Sequence, residues 1–306
     1  MSQGDRFLDS PNLKVKRYQM NIPDSCAKCI YDKQKAFTDN ADYLADVKAL
    51  LDNRGDSDTS PVLVYRIGKL RERYFGKSRD YTDVKRQYND LALSMEDTVR
   101  KKILASPDPT AAALAYSRIG NYIDFGAMNN VSEDVFLALL GKPELTELDQ
   151  PAYKAFLSEC SRGKTFLLLA DNCGEIVFDK LLIEQLQARF PQLRFYVMVR
   201  GGEVLNDATV EDAIYAGIDQ VAVIVSNGDA VAGTVYEMMP REAKETLDHA
   251  DVILSKGQGN YESLSVSGRH VFYSFLCKCD LFMNRFQVPK LTGMLVELGE
   301  VEDKNA

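Results

Sequence analysis

Two hydrophobic patterns divide the chain. Across residues 33–140 apolar side chains recur at spacings of three and four, as in Leu44, Val47 and Leu51, which is typical of amphipathic helices. From Thr165 onward, short apolar runs typical of buried strands alternate with helical patterns. The pattern predicts an α/β protein, namely an α/β/α sandwich with a mostly parallel, Rossmann-like sheet preceded by an N-terminal all-helical domain.

A turn-rich stretch, GKPELTELDQ at residues 141–150, separates the two regions. Domains usually contain about 100 to 200 residues, so the chain is long enough for two. We predict an N-terminal helical (cap) domain over residues 1–160 and an α/β/α domain over residues 161–306, which carries the binding and catalytic site.

Polar residues follow the predicted strands at the points where the strands end. Six apolar runs are predicted as strands: residues 166–170, 194–199, 221–225, 251–255, 270–276 and 293–298. The first four are followed by polar or glycine-rich segments: Asp171-Asn172, Arg200-Gly201-Gly202, Ser226-Asn227-Gly228 and Lys256-Gly257. Because the carboxyl ends of parallel strands meet at one edge of the sheet, these segments are expected to converge there. Their chemistry predicts a site for an anionic, phosphorylated ligand.

Several of these residues have a second, purely structural interpretation. Asp207 can help Asp171 and Asn172 to hold a divalent cation, or it can cap the following helix. The segment Ser226-Asn227-Gly228 can cradle phosphate ahead of a helix, or it can be an ordinary turn. Lys256 can contact a phosphoryl group, or it can be a solvated lysine at a helix start.

A glycine-bounded segment interrupts the helical region at residues 120–126. Asn121 and Asp124 lie among aromatic residues there. They are expected either to bond local backbone at a helix end or to lean over the sheet edge and contact the substrate.

Composition excludes some partners and metals. The net charge of −8, from 37 basic and 45 acidic residues, argues against nucleic acid as a partner, because the phosphate backbone favours a basic surface. The amino terminus lacks the apolar core of a signal peptide, and no apolar run reaches the roughly 20 residues of a membrane span, so we expect a cytoplasmic protein without a membrane partner. With only two histidines, a metal is expected among oxygen ligands, which favours hard cations.

The cysteines allow two interpretations. Six cysteines in a chain of this length do not indicate a disulfide framework. Cys26-x-x-Cys29 has the spacing of half a zinc site or a redox pair, with Cys277 and Cys279 as candidate further ligands. We favour the interpretation that Cys26 and Cys29 are two reduced thiols on a helix packed against the second domain.

Taken together, several separated motifs resemble one known family. They are Cys26-x-x-Cys29, Asn121-Tyr-Ile-Asp124, Asp171-Asn172-x-Gly174-Glu175 with Asp179, Asn206-Asp207, Ser226-Asn227-Gly228 with Gly233-Thr234, and Lys256-Gly-Gln-Gly-Asn260. From about Pro23 to Leu298 the chain resembles the damage-control phosphatase family, also called domain of unknown function eighty-nine. Its N-terminal C-x-x-C resembles the stand-alone, mainly prokaryotic subgroup.

The resemblance implies metal-dependent hydrolysis of small phosphorylated metabolites by a helical domain on an α/β/α sandwich. It implies Asp171, Asn172 and Asp207 as ligands of one divalent cation, which would be manganese, magnesium, nickel or cobalt. We assign catalysis to Asp171 and Lys256. Substrate or phosphate binding is assigned to Glu175, Arg200, Ser226, Asn227, Gly228, Asn260, Asn121 and Asp124.

Three functions therefore compete. The favoured one is a phosphatase for damaged or surplus phosphometabolites, such as sugar phosphates or phosphopantetheine derivatives. The second is a nucleotide-cofactor-dependent, methyltransferase-like group transferase, against which stands the absence of G-x-G-x-x-G after the first strand. The third is a non-enzymatic metal-binding module, with Cys26 and Cys29 as half of a zinc site.

Overall fold

The computed structural model describes residues 22–76, 80–123, 132–141 and 143–298, so the predicted site residue Asp124 lies outside the described residues. Seven of the described helices precede the sheet: α1 Asp24–Phe37, α2 Ala41–Asp52, α3 Ser60–Phe75, α4 Thr82–Leu104, α5 Pro109–Gly120, α6 Glu133–Leu140 and α7 Gln150–Arg162. Their boundaries have local causes. For example, Asp108 accepts a hydrogen bond from Ala111 N at 3.1 Å, and Pro109 opens α5 with its φ already set for a helix. The predicted all-helical region is confirmed in its described residues.

Six strands form one sheet in the described chain: β1 Thr165–Leu169, β2 Arg194–Val199, β3 Val223–Ser226, β4 Val252–Lys256, β5 Val271–Leu276 and β6 Gly293–Leu298. Their order is β3-β2-β1-β4-β5-β6, with β1 to β5 parallel and β6 antiparallel. The remaining helices are α8 Glu175–Arg189, α9 Val210–Tyr215, α10 Arg241–Asp248, α11 Gly257–Leu264 and α12 Asp280–Phe286. The predicted mostly parallel sheet is confirmed, but β3 begins two residues later than predicted and Lys256 belongs to β4.

Alternate residues of β1 enter two hydrophobic cores on opposite faces of the sheet. Phe166 and Leu168 join the core that the sheet shares with helices α4 to α8. Leu167 and Leu169 join the core beneath α10, α11 and α12. Because both faces are covered, the fold is the α/β/α sandwich that the apolar runs predict.

The N-terminal helices belong to two different cores. Helices α1 to α3 have a core of their own, with Tyr43, Val47, Leu63 and Ile67 buried in it. Helices α4 to α7 contribute instead to the core on one face of the sheet. The division of the chain at residue 160 stays a prediction.

The strand order reverses between β1 and β4. From β1 the chain moves outward through β2 to β3, and from β4 it moves the other way to β5. At such a point neighbouring loops diverge, and open α/β proteins bind their ligands in the crevice at the carboxyl ends of the two strands, which here are β1 and β4. None of the described helices is long and apolar enough to cross a membrane.

Candidate active site

Asp171 and Asn172 follow β1 and are buried at its carboxyl end. Two backbone hydrogen bonds, Ala208 N to Asp171 O at 2.8 Å and Cys173 N to Asn206 O at 2.9 Å, hold the segment around Asp207 beside them. Asn172 and Asp207 therefore pair as an isolated antiparallel bridge, although they are far apart in sequence.

Asp207 does not cap a helix. Helix α9 is capped by Thr209, which exchanges capping-box hydrogen bonds with Asp212. The capping interpretation of Asp207 is thus wrong, and its carboxylate belongs to the crevice.

Arg200 follows β2, and its buried guanidinium lies between the two acids. Its Nε donates to Asp207 Oδ2 at 2.7 Å, and its Nη2 donates to Asp171 Oδ1 at 3.2 Å. Its Nη1 donates to Asn260 Oδ1 at 3.1 Å. The arginine therefore balances part of the charge of the two carboxylates, and its assignment to phosphate stays a prediction.

Amide groups connect Asp171 to Glu175, the first residue of α8. Asn121 Nδ2 donates to Asp171 Oδ2 at 2.9 Å and to Glu175 Oε2 at 3.0 Å. Asn172 Nδ2 donates to the same two oxygens, at 2.8 and 3.3 Å. Asn121 lies at the end of α5, as the helix-end interpretation predicts, but its side chain reaches into the crevice. Gly120 permits this approach, because a Cβ there would lie 2.8 Å from Glu175 Cα.

Lys256 is fully buried, so the interpretation as a solvated lysine is wrong. Its Nζ donates to Glu175 Oε1 at 2.6 Å, to Asp179 Oδ1 at 2.7 Å and to Ser117 Oγ at 2.7 Å. An ammonium group has three N–H donors, and these three bonds use all of them. The sequence pattern did not predict the burial of Lys256, because the segment that follows it is polar.

The lysine and its two acids shift each other's pKa values. Burial opposes the charged form of Lys256, but the carboxylates of Asp179 and Glu175 outweigh it and raise the pKa of the ammonium. Burial raises the pKa of Asp179 to about 6, with Lys256 opposing the shift and the like charge of Glu175 adding to it. The protonation of Asp179 therefore depends on the charge of Lys256.

Gly257 opens α11 directly against Asp171. Its φ of +76° favours glycine, and a Cβ there would lie 1.9 Å from Asp171 Oδ2. Asn260, one turn later, donates to Ala170 O at 3.0 Å and accepts from Thr234 Oγ1 at 2.8 Å. The start of α11 is thus fitted to the end of β1.

The loop after β3 is organised by its own side chains. Asn227 Oδ1 accepts from Gly201 N at 2.8 Å, and Ser226 Oγ accepts from Gly228 N at 3.2 Å. The helix expected directly after this loop is absent from the described structure, since only a short 3-10 turn at Tyr236–Met238 precedes α10. Phosphate binding by N–H groups at a helix terminus is therefore not supported here. The assignment of phosphate binding to Ser226, Asn227 and Gly228 stays a prediction.

Ser117 was not predicted as a site residue. It lies one helical turn before Asn121 on α5, so both side chains face the sheet from the same side of the helix. That spacing of four is the signal that could have found it. The hydroxyl of Ser117 also donates a hydrogen bond to Asp179 Oδ1 at 2.6 Å.

All six cysteines are free. Burial, followed by the charges of Glu262, Cys279 and Cys29, raises the pKa of Cys26 to about 12. The interpretation of the C-x-x-C as reduced thiols stays a prediction.

A doubly wound sheet with buried acids, amides and an arginine at its switch point defines a class of α/β proteins that bind small charged ligands at their strand ends. Residues 19–292 match the damage-control phosphatase ARMT1-like domain. The chain therefore belongs to the damage-control phosphatase ARMT1-like family, which confirms the resemblance and supports phosphatase activity.

Individual relatives agree with this assignment. A damage-control phosphatase from Archaeoglobus fulgidus is 30% identical over 273 residues, which cover 85% of this chain and 93% of the relative. A damage-control phosphatase from Pyrococcus horikoshii is 29% identical over 228 residues, or 73% of this chain and 76% of the relative. The crystal structure of a DUF89 family protein from P. horikoshii matches with a TM-score of 0.75 at 25% identity, covering 92% of this chain and 100% of the other.

Proposed function

We propose that the protein is a metal-dependent phosphomonoester hydrolase for small, damaged or surplus phosphometabolites, such as sugar phosphates or phosphopantetheine derivatives. Membership of a phosphatase family supports the reaction class. The observation that carries the proposal is the pair of buried carboxylates, Asp171 and Asp207, bridged by the guanidinium of Arg200.

The residues at this point fit a divalent cation. Asp171, Asn172 and Asp207 supply two carboxylates and one amide, and oxygen donors of this kind bind magnesium and manganese and also accept nickel or cobalt. Asn172 directs its Nδ2 towards Asp171 and Glu175, so its Oδ1 is the atom available as a ligand. Two carboxylates held beside each other in a buried site favour the binding of a cation.

A cation held there would polarise a phosphoryl oxygen and acidify a bound water. Asp171 and Arg200 would act on the phosphoryl group itself. Asp171 lies against the amino end of α11, where helix N–H groups favour negative charge. When the carboxylates bind a cation, we expect Arg200 to keep its contact with Asn260 and to donate to the phosphoryl oxygens instead.

Lys256 is assigned a positioning role within this proposal. Its three N–H donors bind Glu175, Asp179 and Ser117. Glu175 in turn accepts hydrogen bonds from the side-chain amides of Asn121 and Asn172. Lys256 would therefore act on the reaction by fixing Glu175 and, through the amides, Asp171. The cytoplasmic location and the substrate class remain part of the proposal.

The test compares phosphate release and manganese binding in Asp171→Asn and Asp207→Asn with the parent protein, over a panel of phosphorylated metabolites. Both variants should lose at least about a hundredfold in turnover, the scale of one preorganised charge-stabilising group. Both should also bind manganese more weakly in calorimetry and keep the parent's circular dichroism.

The matched control is Asp251→Asn. Asp251 directly precedes β4, so it lies at the end of the strands opposite the crevice. Asp251 accepts from Lys164 N at 2.8 Å and from Thr165 N at 2.9 Å, so it stabilises the start of β1 without touching the crevice. It should keep turnover and manganese binding. Full activity in both Asp171→Asn and Asp207→Asn would refute the metal assignment.

A further inference from the structure

Three potential metal ligands lie together at the amino-terminal ends of the parallel strands, and the candidate active site lies at their carboxyl ends. We name this group the His270 cluster; it comprises Glu159 on α7, His270 just before β5, and Glu297 on β6. His270 Nδ1 lies 3.3 Å from Glu159 Oε2, and His270 Nε2 lies 3.0 Å from Glu297 Oε1. One ligand atom from each residue lies within 4.8 Å of the others.

The fold fixes these positions through one apolar contact. Phe272 pairs with Glu297 across β5 and β6, so their side chains share a face of the sheet. The ring of Phe272 lies 5.2 Å from the ring of His270 and 5.3 Å from that of Phe156 on α7. Glu159 follows Phe156 by three residues and so lies on the same side of α7. The His270 cluster thus lies beside the buried contact between Phe156 and Phe272.

The charges in the His270 cluster are unbalanced. Two carboxylates, those of Glu159 and Glu297, face the one imidazole of His270. Arg269, the neighbour of His270, pairs with Asp248 Oδ1 at 2.7 Å instead. A bound cation would relieve the repulsion between the two carboxylates.

The side chains of Glu159, His270 and Glu297 are 23%, 36% and 38% exposed, so an ion can reach them from solvent. The two carboxylates contact different nitrogens of the ring, so an ion bound at one nitrogen requires the glutamate at the other to turn towards it. One imidazole nitrogen with two carboxylates is a donor set for borderline divalent ions, and three protein ligands leave a further position for water. Imidazole also favours zinc and cobalt over magnesium, which separates this set from the oxygen donors of the active site.

We propose that Glu159, His270 and Glu297 form a second metal site, which binds a borderline divalent cation such as Zn²⁺ or Co²⁺ and ties α7 to the β5–β6 edge. The proposal is independent of the proposed phosphatase activity, because its residues lie at the other end of the strands.

The test measures zinc bound by the full chain after chelation, with magnesium in excess to compete for the oxygen-ligand site. His270→Ala and Glu297→Gln should each bind about one zinc ion per chain fewer than the parent. The control is His249→Ala, the other histidine, whose Nδ1 lies 2.7 Å from Glu245 O at the end of α10. It should bind as much zinc as the parent, and zinc bound at cysteines cancels in the comparison.

Thermal unfolding supplies a second readout. Zinc should raise the Tm of the parent and of His249→Ala, because a ligand that binds only the folded state stabilises it. It should not raise the Tm of Glu297→Gln, which keeps the size of the side chain. Equal zinc content and equal Tm shifts in the parent, His270→Ala and Glu297→Gln would overturn the proposal. A change in the pH dependence of unfolding without a change in zinc binding would also overturn it, because the cluster would then bind only protons.

Discussion

Replacing Lys256 by methionine tests the buried charge cluster most directly. Methionine keeps most of the length of the side chain but removes the ammonium that contacts Glu175 Oε1 at 2.6 Å and Asp179 Oδ1 at 2.7 Å. Both acids and the lysine are fully buried, so no solvent can replace the lost charge. Removing one partner of such a buried pair costs about 3 to 5 kcal/mol.

That cost is large compared with the total stability of a folded protein, which is about 5 to 15 kcal/mol. Turnover should fall as well, by roughly a hundredfold or more, because Glu175 and the amides that bind it would lose their fixed position. Arginine should not restore turnover fully, since its planar fork does not reproduce a compact ammonium with three donors in a closed pocket.

The destabilisation should depend on pH in a defined direction. The pKa of Asp179 in the folded protein is about 6, above its ordinary value. A raised folded pKa means that the group contributes stability at low pH and that this contribution is lost as the pH rises through about 6. Without Lys256 the pKa of Asp179 should rise further. The deficit of Lys256→Met should therefore be larger at about pH 8 than at about pH 5.

The assay is urea unfolding of the parent and of Lys256→Met at both pH values, with turnover measured on folded protein. If Lys256→Met is too unstable, Lys256→Met with Asp179→Asn should recover part of the loss, because it removes one of the two unpaired charges. The control is Lys180→Met. Lys180 is a buried lysine further along α8 that contacts Glu96 Oε1 at 2.9 Å, so its loss should reduce stability without changing turnover.

A change of no more than about 0.5 kcal/mol, which is typical of a surface substitution, would refute the assignment of Lys256 to a buried ion pair. An unchanged kcat in a stably folded variant would separately remove Lys256 from catalysis.

Two further substitutions test the site and the cysteines. Gly257→Ala should lower stability by more than about 1 kcal/mol and reduce turnover, because the φ of Gly257 and its contact with Asp171 exclude a Cβ. The control is Gly68→Ala inside α3, where a Cβ meets open space; this change should stabilise the protein by about 0.4 to 1 kcal/mol. Urea unfolding that shows equal changes in the two would contradict this. Cys26→Ser with Cys29→Ser should keep turnover within a few-fold and release no stoichiometric zinc, because we interpret both residues as free thiols on α1. Loss of one zinc per chain, or failure to fold, would identify a structural site.

The convergence of residues on one sheet edge could be predicted because it follows from local pattern and parallel topology. An apolar run that stops at Asp171, and another that stops at Arg200, predict two strand ends. Parallel pairing of β1 with β2 then brings them together, and Arg200 does contact Asp171. Besides the direction of the strands, only the adjacency of β1 and β2 was needed.

The partners of Lys256 could not be predicted in the same way. Glu175 and Asp179 lie one turn apart on α8 and Ser117 comes from α5, so three separate elements must pack before the pocket exists. A polar segment after a strand usually indicates a solvated turn. The role of Asp207 was ambiguous for a related reason, because capping depends on which nearby residue reaches the first free N–H groups of the helix.

On the proposed function, the two charge clusters predict the order in which the cation and the phosphorylated ligand bind. Arg200 contacts Asp171 and Asp207, Lys256 contacts Glu175 and Asp179, and Asn121 connects Asp171 to Glu175. These four carboxylates and two cationic groups carry a formal charge of −2, and each is at most 6% exposed. A phosphorylated ligand would be repelled by these four carboxylates, since charges interact strongly where water is excluded. We therefore expect the divalent cation to bind before the phosphate. Inorganic phosphate should bind measurably in calorimetry only when manganese is present, and equal phosphate affinity without it would contradict this order.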